Sequence, residues 1–166
     1  ITANEISGAP YASGESVGLG VYDGYADRDV AVSASQNVIT GWSYGVYVGR
    51  CEKDCLSGRL RSLTLNENAI TGNTVGMGTE LTLPLNAERN WWGSARGPQV
   101  ASNPGGDGQS IEGSSIDYVP WLCDGTDAQP SQIGFQPVSG AATCTNAPTR
   151  LRFTVQPPAT AYTNEL

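Results

Sequence analysis

A five-residue pattern, Asn-x-Ile-[Ser/Thr]-Gly, occurs three times in this chain, at residues 4–8, 37–41 and 68–72. Successive copies start 33 and 31 residues apart, and a shortened relative, Asn90-Trp91-Trp92-Gly93, follows 22 residues after the third. Self-similarity at this period marks a chain built from stacked, similar units. One such unit is too small to bury its own apolar face, so neighbours must stack.

The sequence around each copy repeats as well. Alternating runs precede the later copies: Val30-Ala31-Val32, Leu63-Thr64-Leu65 and residues 81–85, LTLPL. A glycine-led run follows each of the first three: Gly20-Val21-Tyr22, Gly45-Val46-Tyr47-Val48 and Gly76-Met77-Gly78. The unit is therefore a strand, an Asn/Gly turn, a second short strand and a return of variable length. Alternation puts Ile39, Val46, Val48, Leu63, Leu65 and Ile70 on one side and Ser or Thr on the other. Stacking as parallel strands about 4.8 Å apart would align the inward residues of successive units. It would also align Asn4, Asn37, Asn68 and Asn90 into a ladder satisfying the turns above and below.

Composition agrees with an all-β chain. Twenty-one glycines interrupt every longer window, and no amphipathic helical period survives. The net charge is −7, and only Arg50, Lys53, Arg59 and Arg61 form a small basic group. Nucleic acid is not an expected partner, because phosphate contacts need a clustered positive surface. No apolar run approaches membrane-spanning length, so no membrane insertion by this segment is expected.

Residues 90–122, NWWGSARGPQVASNPGGDGQSIEGSSIDYVPWL, are rich in turn-formers and poor in apolar residues. Such a stretch cannot build its own core. Trp91, Trp92 and Trp121 read as a lid over apolar surface built by the preceding coils. The repeats together with this ending, NWWG, GP, NPGG and DYVPWL, resemble the C-terminal part of a right-handed parallel β-helix. That is the pectate-lyase-like fold found in large secreted bacterial surface proteins. The resemblance covers roughly residues 1–122.

The four cysteines are Cys51, Cys55, Cys123 and Cys144. An even count in this acidic, Gly- and Ser-rich chain suggests disulfides and an oxidising, extracellular setting. Three connectivities are open, and the most local, Cys51–Cys55 with Cys123–Cys144, is preferred. Structural zinc fits poorly, since the spacing lacks paired knuckles and histidine is absent.

Residues 123–148 read as an irregular, Cys-tied linker. Residues 149–166 contain one alternating strand with Leu151, Phe153 and Val155 on one face. It resembles the first strand of the immunoglobulin-like repeats that follow such β-helices. Alone it has no core, so an inter-subunit strand is one use for it. Both ends of the chain read as cut, as in a piece of a larger protein.

The resemblance implies polysaccharide lyases or hydrolases as enzyme candidates, which use clustered acids, often with Ca²⁺. Asp23, Asp27 and Asp29 are the best local group and the Ca²⁺ candidate, though no matching acids flank them. A solvated loop explains them equally well. Without histidine, Ser-His-Asp and Cys-His arrangements are excluded within this chain. Catalytic residues and a resident cofactor are therefore not expected. Tyr11, Tyr22, Tyr25, Trp42, Tyr44 and Tyr47 come from the first two coils. They could form a lateral row for sugars, with Tyr47 outward and Tyr44 in a corner; packing against long returns is the commoner use. The expected function is structural and non-enzymatic: a stalk, fibre subunit or surface-layer element, self-associating or joined to further segments. A glycan-binding module for surface polysaccharide is the alternative.

Overall fold

The computed structural model describes residues 1–9 and 15–146. Among them every regular element is a strand. The first coil holds β1 (Glu5–Ser7), β2 (Val17–Asp23) and β3 (Val30–Ser35). The second holds β4 (Val38–Thr40), β5 (Tyr44–Arg50) and β6 (Leu60–Asn66), and the third β7 (Ala69–Ile70), β8 (Val75–Thr79) and β9 (Leu85–Asn86). Two further rungs, β10 (Ile111–Glu112) and β11 (Ile116–Asp117), lie under β8 and β9. All these strands pair in parallel, in three sheets ordered β1-β4-β7, β2-β5-β8-β10 and β3-β6-β9-β11. The result is a parallel β-solenoid of about three turns, as the repeat requires.

Register explains the core. Ile6, Ile39 and Ile70 stack in one sheet; Leu19, Val46, Met77 and Ile111 stack in the next. Val32 pairs with Leu63, and Ala34 with Leu65. The inward residues of the second and third coils, Ile39, Val46, Val48, Leu65, Ile70 and Met77, have no solvent exposure. Their burial supplies the driving force, about 25 cal/mol per Å² of apolar surface.

The asparagine ladder runs through the first corner. Each lower side-chain oxygen accepts two hydrogen bonds, from the backbone N–H and the side-chain amide of the Asn above. For Asn37 onto Asn68 these are 3.0 and 2.8 Å; for Asn68 onto Asn90 they are 3.0 and 2.9 Å. Asn4 makes the same pair onto Asn37 at 3.0 Å each. The remaining amide protons go to carbonyls of the turn, as from Asn68 to Ala34 and Asn66. Asn37, Asn68 and Asn90 are fully buried, so the ladder satisfies backbone groups that water cannot reach.

The residue before each ladder asparagine is in the left-handed region: Ala3, Gln36, Glu67 and Arg89, with φ between 54° and 57°. Gly41 and Gly72, at the other end of the pentapeptide, also have positive φ. The repeat is thus a short strand bracketed by two left-handed bends, which is how the chain turns a corner twice within a few residues. The side-chain-bearing bends each cost roughly 1–2 kcal/mol.

One expectation needs correction. Trp92 and Trp121 do close the core, being 0% and 2% exposed. Trp91 does not: consecutive residues of an extended segment face opposite ways, so it points outward beside Ala69. Residues 123–146 are irregular and Cys-tied, as expected, and they pack back along the outside of the β1-β4-β7 sheet. They start after β12 (Trp121–Leu122), which pairs antiparallel with β13 (Thr143–Cys144). Phe135, 2% exposed, clusters with Ala69 and Leu122, and Val38 and Trp91 pack against them. The Phe135 N–H donates to the Gln36 carbonyl at 2.8 Å, which ties the strap back to the bend before Asn37.

Candidate functional site

The sheet β2-β5-β8-β10 presents an outer face floored by glycine and overlaid by tyrosine. Outward positions of β2 are Gly18, Gly20 and Tyr22; those of β5 are Gly45, Tyr47 and Gly49; those of β8 are Gly76 and Gly78. Register sets Tyr47 between Gly20 and Gly78, and Tyr22 beside Gly49. The rings lie across the glycines. A Cβ at Gly49 would sit 2.7 Å from the Tyr47 ring and 3.2 Å from Tyr22, and one at Gly78 2.7 Å from Tyr44. Such separations are well inside van der Waals contact, so only glycine leaves room for the rings.

The rings form a continuous row across coils. Centroid separations are 5.8 Å for Tyr25–Tyr22, 6.2 Å for Tyr22–Tyr47 and 5.3 Å for Tyr47–Tyr44. Tyr22 and Tyr25 meet nearly edge to face, at 88°, forming an aromatic corner. They stay 40% and 54% exposed, so this row does not serve only to pack a return. Tyr44 reaches out of its corner, and its hydroxyl donates to Glu112 Oε2 at 3.0 Å.

Beside the row is an open cleft of about 490 Å³. Glu15, Val17, Tyr22, Tyr25, Tyr47, Arg50, Glu52 and Glu80 line it. Three carboxylates face one guanidinium. Glu80 is positioned by the Arg50 backbone N–H, which donates to its Oε1 at 2.7 Å. Tyr44 is pushed up to about 12, first by its hydrogen bond to Glu112 and then by burial. Tyr47 is raised by burial first, then by Glu80, Glu15, Tyr22 and Glu52. Both hydroxyls are therefore protonated at neutral pH and can donate.

The other sequence candidates fall elsewhere. Asp23, Asp27 and Asp29 are not brought together as a cation site. Asp23 Oδ1 accepts from the Leu60 N–H at 2.7 Å, and Asp29 from the Arg59 N–H at 2.9 Å and Arg61 Nε at 2.6 Å. The Arg59 and Arg61 bonds hold the Asp29 carboxyl below its usual range. The Asp23 and Asp29 carboxylates join neighbouring returns instead. Among the described residues, no three His, Cys, Asp or Glu side chains are placed to hold a metal ion.

Cys51–Cys55 and Cys123–Cys144 are both paired. The first staples a loop zipped to the preceding return, with Cys51 and Leu56 N–H donating to Asp23 and Gly24 carbonyls. The second ties the strap to the lid, β13 to the residue after β12. Tyr11 and the strand with Leu151, Phe153 and Val155 lie outside the described residues.

Sequence reasoning missed a second polar corner. Asn73 Oδ1 accepts from the Trp42 N–H at 3.1 Å, and Gln109 Oε1 accepts from the Asn73 N–H at 2.8 Å. The Asn73 amide donates to the Ile39 carbonyl at 2.9 Å. Asn73 and Gln109 are different residue types 36 positions apart, so no repeat announced them. Trp42 stands in the same corner, its Nε1 donating to the Ile6 carbonyl at 3.0 Å.

No family model, no curated protein and no solved structure matches this chain.

Proposed function

We propose that this chain is a non-enzymatic structural segment of a larger extracellular protein: a coil stack of the right-handed, pectate-lyase-like kind that builds a stalk, fibre or surface layer. One observation carries the reading. β1, β2 and β3 stand at the ends of their sheets; β3 is covered on its outer edge only at Ser33–Ser35, by residues 1–3, and the inward Ile6, Val30 and Val32 are only half-buried. The same positions one coil on are sealed. An open edge in solenoid register accepts another coil or another copy. Two disulfides suit an oxidising exterior. Negative-stain electron microscopy of the unreduced protein tests the self-associating form. Filaments, sheets or end-joined particles are expected; isolated particles at every concentration would overturn it.

A second reading, glycan binding, is favoured by a separate observation: four tyrosines in a row on a glycine floor, beside a cleft with charged hydrogen-bonding groups. Ring faces stack on the C–H faces of sugars, and carboxylate and guanidinium groups bond their hydroxyls. The two readings are compatible, because a rigid rod is a suitable support for a binding face. Affinity electrophoresis against immobilised polysaccharides tests this one.

A further inference from the structure

We infer that the tyrosine cleft takes an amine-bearing glycan, a polymer of unacetylated amino sugars, in preference to neutral or uronic-acid polymers. The inference rests on the glycan reading above and adds the charge of the ligand.

Three features of the cleft converge. The first is shape: the row steps from Tyr25 to Tyr22 in the first coil, crosses to Tyr47 in the second and ends at Tyr44 on the same strand, with ring separations of 5.3–6.2 Å that are comparable to the length of one pyranose unit. An extended oligosaccharide following that path across the face would meet successive rings with successive sugars. The second is charge: Glu15, Glu52 and Glu80 outnumber Arg50 among the lining residues. A uronate polymer would bring its own carboxylates against three others, and a neutral sugar would leave that charge unmatched. An ammonium on each sugar matches it. The third is the aromatic corner. Tyr22 and Tyr25 stand at 88° with their centroids 5.8 Å apart, so a cation in the cleft can approach two rings from different sides. Ring faces attract ammonium groups, by about 0.5–1 kcal/mol at exposed sites.

The groups facing the cleft suit these roles. Glu15 and Glu52 are exposed and have no bonded partner within the described residues. Glu80 is held by backbone at its upper edge. Burial first, and then Glu80, Glu15, Tyr22 and Glu52, raise Tyr47; an ammonium in the cleft would meet the same three carboxylates. Arg50 is the one opposing charge; its fork suits a ring or glycosidic oxygen, which needs a donor.

The test uses the unreduced full chain and isothermal titration with oligosaccharides of matched length. The probes are glucosamine, N-acetylglucosamine and galacturonic acid oligomers, with a lysine peptide as a fourth. The glucosamine oligomer is expected to bind at least roughly tenfold more tightly than either other sugar, with affinity falling as salt rises. Tyr25→Ala should weaken it several-fold. Glu15→Gln combined with Glu52→Gln should erase its advantage over the acetylated oligomer while leaving thermal stability unchanged. Both sites are exposed, so loss of fold does not confuse the result. Equal binding of the acetylated and free-amine oligomers would overturn the charge inference and leave glycan binding standing. Stronger binding of the uronate oligomer would do the same. No binding of any sugar would overturn both. A lysine peptide bound as tightly as the amino sugar would overturn the glycan assignment in favour of a protein amine.

Discussion

The asparagine corner and the tyrosine face are both built by stacking, and they solve opposite problems. At the corner, Asn37, Asn68 and Asn90 are fully buried, identical in each coil, and bonded one to the next at 2.8–3.0 Å. On the face, tyrosine and glycine alternate between coils rather than repeat, and the rings remain partly in solvent. Repetition serves the interior, where every coil must satisfy the same turn. Alternation serves the exterior, where a tyrosine in one coil needs a glycine in the next to lie against. A solenoid thus separates what holds it together from what it can display.

The largest effect that would test this contrast comes from the corner. Asn68→Ala removes an acceptor from the Asn37 N–H and side-chain amide, and donors from the Ala34 and Asn66 carbonyls. Each buried group left unpaired costs about 1–3 kcal/mol, so a loss of about 4 kcal/mol is expected. Thermal unfolding should fall by roughly 10 °C. Asn4→Ala is the internal comparison. Asn4 sits at the exposed end of the ladder, where water can replace its bonds, and about 1 kcal/mol is expected there. Equal losses at both positions would mean that burial is not what gives the ladder its strength.

The contrast also accounts for what the sequence disclosed. The inward Ile, Val and Leu positions and the four ladder asparagines were legible because the interior repeats itself, and a repeat can be aligned by eye. The tyrosines were legible as residues, with a lateral row as one of two uses open to them, but the seating of that row was not legible. Their row depends on Gly49 and Gly78 falling beside them, which is a matter of register between coils, not of order along one coil. Trp91 and Trp92 read as a single lid because the pair is adjacent; the half-turn between neighbours in an extended chain sends one outside. The strap around Phe135 has no period at all. Its place follows from an apolar outer stripe of Val38, Ala69 and Trp91, each residue of which sits in a different coil. The left-handed bends at Gln36, Glu67 and Arg89 were hidden because none is glycine or asparagine, the residues that normally signal them.

An intermediate effect comes from the floor of the face. Gly78→Val would place a branched side chain where a Cβ alone comes within 2.7 Å of Tyr44 and 3.4 Å of Tyr47. The core side of β8 is untouched, so the solenoid should persist with a loss of about 1–3 kcal/mol as the rings are driven off. Near-ultraviolet circular dichroism reads the displacement directly, because the coupled tyrosines dominate that face. An unchanged tyrosine spectrum in a fully folded variant would show that the rings do not depend on the glycine, and the account of alternation would fail.

The smallest expected effect is in the titration of the row. Tyr44 ionises near 12 rather than its ordinary 10, first because its hydroxyl donates to Glu112 and the phenolate cannot. The folded value lies above the unfolded one. The stability this contact contributes is therefore present in full below pH 10 and is lost as pH rises through about 12. Glu112→Gln removes the negative charge, so Tyr44 should ionise closer to its ordinary value, and that stretch of the pH profile should flatten. Tyr44→Phe should remove the most alkaline step from the absorbance titration altogether. The change in stability should be slight, because the pair is exposed and water screens it. Superimposable titrations of the parent and Glu112→Gln would show that the Glu112 carboxylate does not anchor the lower end of the row. The face would then end at Tyr47, as a display built on two coils, while the asparagine corner still runs through all of them.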